Sequence, residues 1–77
     1  MKVYRLFRHN ECENFTVGYY ASEKLAKKAL KDLSISYADL YDYINLNEEK
    51  GVMQCLIKGY EMVGFAIEDI DVIEESN

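Results

Sequence analysis

The chain has 77 residues, 49% of them hydrophobic and none of them proline, which fits one ordered domain over residues 1–77 and excludes a disordered tail. No apolar run approaches the ~20 residues a membrane helix requires, and the start Met1-Lys2-Val3-Tyr4-Arg5 lacks the apolar stretch of a secretory leader. The net charge of −5 is uneven: residues 1–31 hold seven cations against three carboxylates, whereas residues 32–77 hold two against eleven.

Val3 to His9 is rich in β-branched and aromatic residues and reads as a strand. Phe15 to Tyr20 reads as a second, with Phe15, Val17 and Tyr19 on one face. The polar segment Asn10–Asn14 between them predicts a hairpin. Ser22 is placed to cap a helix, and Glu23 stands in its first turn. Leu25, Ala26, Ala29, Leu30 and Leu33 give that helix one apolar face, with Lys24, Lys27, Lys28 and Lys31 around the rest.

Ser36-x-x-Asp39 opens an expected second helix through Ile44. For residues 47–63 a helix is preferred to a strand. Val52, Met53, Leu56, Ile57, Tyr60 and Val63 form a stripe, Asn47 fits an N-cap, and Gly64 fits the left-handed position beyond the end. Phe65 to Ile73 predicts a last strand, with a bulge at Glu68-Asp69 restoring one apolar face. The fold class that results is α+β: a small antiparallel sheet of about three strands packed on two to three helices, in the order ββαααβ.

No constellation of residues predicts catalysis. His9 and Cys12 offer two potential ligands where zinc needs three or four, and no third group orients them as a nucleophile and base. The glycines form no phosphate-binding pattern, so neither metal nor cofactor is expected and the protein is read as a non-enzyme. Two cysteines are too few for a disulfide framework, which favours a reducing cytoplasmic setting.

Binding is the expected job. Glu68, Asp69, Asp71, Glu74 and Glu75 crowd the C-terminal strand, and Asp39, Asp42, Glu48, Glu49 and Glu61 extend the field. Carboxylates spaced along one surface can occupy a groove built for phosphates, so the leading partner is a basic, nucleic-acid-handling protein. The alternative is a nucleic-acid module using Arg5, Arg8, Tyr20, Lys24, Lys27, Lys28 and Lys31, which a pI of about 4.7 disfavours. An exposed final strand also leaves a homodimer open.

The stretches Lys2-Val-Tyr-Arg-Leu6 and Gly18-Tyr-Tyr-Ala-Ser-Glu-Lys-Leu-Ala-Lys-Lys-Ala-Leu30 resemble the start of small uncharacterised ββα domains from bacteria and phages. The resemblance implies a hairpin feeding a helix and no active residues. In size and charge the chain is also similar to small acidic phage proteins that block host defence enzymes, which implies an inhibitor of phage or mobile-element type.

Overall fold

The structure, a computed structural model, describes residues 1–73. Its elements are β1 (Lys2–His9), β2 (Asn14–Tyr20), α1 (Glu23–Tyr37), β3 (Tyr43–Asn47), β4 (Val52–Ile57) and β5 (Tyr60–Asp71), in the order ββαβββ. The strands form one antiparallel sheet ordered β2-β1-β5-β4-β3, and α1 packs on one of its faces. This corrects the expected three strands on two to three helices: the second and third helices are replaced by strands.

The first three elements follow from local signals. The Ser22 side chain accepts from the Leu25 N–H at 3.2 Å and caps α1, with Glu23 in the first turn. The helix then runs through Ser36, where a new N-cap was expected, and stops at Tyr37. In β2 the two-residue alternation breaks. The pairing with β1 shifts between Leu6 and Phe7, leaving Val17 as the extra residue, so Phe15 pairs with Arg8 and Tyr19 with Arg5. Those β1 partners lie on opposite faces, and the expected single face of Phe15, Val17 and Tyr19 does not exist.

Residues 43–63 are strands because their turns carry backbone conformations that helices do not use. In Tyr43-Ile-Asn-Leu-Asn47, Ile44 and Leu46 are half-buried and the other three are exposed. Asn47 caps a turn instead of a helix: its Oδ1 accepts from the Lys50 N–H at 3.0 Å, and its carbonyl accepts from the Gly51 N–H at 2.9 Å. Gly51 closes that turn at φ +68°. The next turn has Lys58 at φ 53° and Gly59 at φ 81° between the paired residues Ile57 and Tyr60. Two consecutive positive φ angles are the type I′ geometry that matches the twist of a hairpin.

β5 is the centre of the sheet and not an exposed edge, which removes the expected route to a homodimer through the final strand. Its pairing with β1 is continuous from Lys2↔Asp71 to His9↔Gly64, so the bulge expected at Glu68-Asp69 is absent. Ile67 and Ile70 therefore face opposite sides.

The core lies between α1 and one sheet face: Leu6, Ala26, Leu30, Met53, Cys55, Val63 and Phe65 are all buried. Tyr37 closes one side, with its ring centroid 5.7 Å from that of Phe65 and 6.1 Å from that of Tyr41. No helix among the described residues covers the other sheet face. No helix among the described residues is long and apolar enough to cross a membrane.

Burial separates the two thiols: Cys12 is exposed at the β1–β2 turn and Cys55 lies in the core. Burial pushes the Cys55 thiol up from its ordinary range. A thiol reagent should consume one equivalent quickly in the native protein and the second only on unfolding; equal rates would contradict the burial. The pH dependence follows from the same direction. Below the ordinary thiol range both states keep the proton and stability is flat. Above it the unfolded chain ionises first, so Cys55 contributes a loss of stability that continues until the folded thiol also ionises.

Candidate functional site

The two charged halves of the sequence are interleaved by the sheet. Because β1 pairs with β5, the Lys2 ammonium meets Asp69 at 3.0 Å and the Arg5 guanidinium meets Glu68 at 2.8 Å. The hydrogen bond from Lys2 holds the Asp69 carboxyl below its usual range, and the same bond raises Lys2. Both groups are exposed, so the pair adds little stability. On the far side of the helix, Lys31 lies 3.5 Å from Glu48, and Lys27 donates to the Glu49 carbonyl at 2.9 Å.

The expected acidic field is thus dispersed. Along β5, Glu68 faces the uncovered side of the sheet while Asp69 and Asp71 face the helix side, as the alternation of a strand requires. Asp42 is occupied in a turn, where its Oδ2 accepts from the Lys58 N–H at 2.8 Å. Asp39 is exposed in the connection after α1. Glu74 and Glu75 lie outside the described residues.

The basic set is more fully engaged. Arg5 donates to Thr16 Oγ1 at 2.7 Å, Asn14 Oδ1 at 2.7 Å and Glu68 Oε1 at 2.8 Å, and its guanidinium sits 4.7 Å from the Phe7 ring centroid. Lys27 also pairs with Glu23 at 2.7 Å, and Lys28 with Asp32 at 3.3 Å. Tyr20 packs half-buried against the core. Of the seven residues expected to bind nucleic acid, Arg8 and Lys24 alone lack such a contact among the described residues.

One cluster of carboxylates escapes this neutralisation. At the tip of the β1–β2 hairpin, Asn10 Oδ1 accepts from the Cys12 N–H at 3.0 Å and the Glu13 N–H at 2.8 Å. The Asn10 N–H donates to the Glu13 carbonyl at 3.0 Å, closing a tight turn that presents Glu11 and Glu13 outward. The start of β5 lies beside it. There the pairing with β4 shifts between Cys55 and Leu56, leaving Met62 as the extra residue and pairing Glu61 with Leu56. Glu61 is thereby turned to the uncovered face, close to the side of Gly64 on which the His9 ring rests. A Cβ at Gly64 would collide with that ring.

The result is an open cleft of ≈ 410 Å³ lined by Asn10, Glu11, Cys12, Glu13, Glu61 and Met62. Its three carboxylates make no ion pair among the described residues, and Met62 is 45% exposed between them. The chain matches no protein-family model, and comparison with curated proteins and with solved structures gives no match. No group of three or more His, Cys, Asp or Glu side chains among the described residues is disposed to hold a metal ion. The cleft is an acidic surface whose lining includes the exposed apolar side chain of Met62.

Glu11, Glu13 and Met62 were absent from the sequence-based sites. The turn residue Asn10 between two acidic positions was visible. The juxtaposition with Glu61 was not, because it depends on β1 and β5 being neighbours across more than fifty residues of chain.

Proposed function

We propose that this protein is a non-catalytic binding protein, a small acidic regulator or inhibitor of a basic, nucleic-acid-handling protein in a reducing cytoplasm. The observation that carries the reading is the cleft lined by Glu11, Glu13, Glu61 and exposed Met62, with no cation among the described residues of its lining. Three like charges at one end of a protein attract a basic partner at long range, and a polarizable, unbranched methionine adapts to an irregular apolar contact. Asp39 and Asp71 add to the negative field, whereas Glu68, Asp69 and Glu48 spend theirs on internal partners. The two free thiols agree with a reducing compartment. Similarity in size and charge to phage inhibitors supports the same class of job.

A labelled peptide of alternating lysine and arginine is the direct probe. Its affinity should fall steeply between about 0.01 M and 1 M salt, as the screening length contracts from about 30 Å to about 3 Å. The combined Glu11→Gln, Glu13→Gln and Glu61→Gln variant should lose about tenfold at low salt, from ~0.5 kcal/mol per exposed charge. Affinity that ignores salt, or a triple variant that binds as well as the parent, would overturn the reading. Oligonucleotide retardation that disappears on replacing Arg8 and Lys24 would favour the nucleic-acid alternative instead.

A further inference from the structure

β5 lies at the centre of the sheet, yet it is longer than either neighbour. β4 pairs with it from Tyr60 to Ala66, and β1 from Gly64 to Asp71. Tyr60, Glu61, Met62 and Val63 are therefore paired on the β4 side alone. Among the described residues no backbone group bonds to them on the β1 side. β1 leaves that place empty because the chain turns away after His9, where the Asn10 N–H donates to the Glu13 carbonyl. At about 3.3 Å per residue the four unpaired residues span about 13 Å. Antiparallel strands direct the N–H and C=O groups of alternate residues to each side, so part of this row is open to a further strand.

The acidic cleft is at this vacancy. Glu61 and Met62 in its lining belong to the unpaired segment, and Asn10 to Glu13 of the hairpin tip form the wall at its end. Arg8 and Lys58, the cations nearest in the chain, are absent from that lining. Tyr60 and Met62 are 73% and 45% exposed. Lysine and arginine suit such surroundings, because their aliphatic stems cover apolar side chains while their heads reach carboxylates. An apolar segment would instead take three unpaired carboxylates out of water. β5 is also unpaired on the β4 side from Glu68 to Asp71, but the cavity there is lined by Lys2, Lys27 and Lys50 together with Glu23 and Asp69. Charges of both signs select no occupant at that end.

We propose that the partner's basic segment binds as an extended strand beside Tyr60–Val63, in the place in the sheet that β1 vacates after His9. The proposal rests on the reading of the cleft as the site for a basic protein, and it adds the conformation of the segment taken. Backbone hydrogen bonds to β5 supply attraction, as in strand addition generally, and the carboxylates of Glu11, Glu13 and Glu61 select its charge. A seam of four residues lies at the small end of interface sizes, so the complex is reversible.

Residue-resolved amide hydrogen exchange on the full chain tests this, with and without the alternating lysine–arginine peptide at about 0.01 M salt. Saturation should slow exchange within residues 60–63 and leave the outer strands β2 and β3 unchanged. A peptide of equal length and charge held as a helix should bind about tenfold more weakly, because it cannot make about two backbone hydrogen bonds to β5. An extended peptide that binds while residues 60–63 exchange as before would overturn strand addition. So would protection confined to β2 or β3, or a helical peptide that binds equally well. Each of those results leaves the cleft standing as a site for basic partners. Failure of both peptides to bind would remove the cleft reading and strand addition together.

Discussion

Replacing Phe65 with alanine is expected to cost about 3–5 kcal/mol of unfolding free energy, the largest single effect in the molecule. Phe65 stands in the central strand, is 1% exposed, and is the largest fully buried side chain. It pairs with Met53 on one side and Arg8 on the other, and Tyr37 of α1 packs against its ring. Truncation removes apolar burial from both layers at once, and the sheet backbone beneath cannot collapse into the space. Small domains hold roughly 5–15 kcal/mol in total, so most of the margin would go. Urea denaturation followed by circular dichroism measures the change. A loss below about 1 kcal/mol would mean that the ring is not sealed between helix and sheet.

Leu30→Ala is expected to cost about 2–5 kcal/mol for a related but separable reason. Leu30 is fully buried at the middle of α1, where Ala26 is its one fully buried helical neighbour. Among the described residues α1 is the one helix on the sheet, so no other helix shares that load. Leu25→Ala, on the same helix but half exposed, should change stability far less. Comparable losses in the two variants would show that α1 is rotated from its described orientation.

The elements that were legible in the sequence are those specified by residues close together in the chain. Ser22, Glu23 and the spacing of Ala26, Leu30 and Leu33 define α1 without reference to anything distant. The strand tendency of Val3–His9 is equally local. Residues 47–63 defeat such reading because their apolar positions fit a helical stripe as well as a strand. Met53 and Cys55 point inward by alternation, but the shifts around Leu56 and Met62 break the period before it can be recognised. The informative signals were Gly51 and Lys58-Gly59, whose positive φ angles make turns. A lysine at the first position of a type I′ turn is an unusual choice, and there the Asp42 carboxylate holds its N–H.

Charge taught the same lesson in the opposite direction. That a basic first part is followed by an acidic second part, and that a small core leaves these charges on the surface, can be read from the residues alone. Strand order and helix packing are what keep them from forming two surfaces. Placing β5 beside β1 sets Asp69 on Lys2 and Glu68 on Arg5, and packing α1 near the β3–β4 turn sets Lys31 on Glu48. Coulomb interactions are strong at contact and screened within about 8–10 Å at ordinary salt. Strand order, which is fixed by burying apolar faces, therefore determines which charges remain available. Those left at one end are Glu11, Glu13 and Glu61, brought together by two distant turns that chain order alone keeps apart.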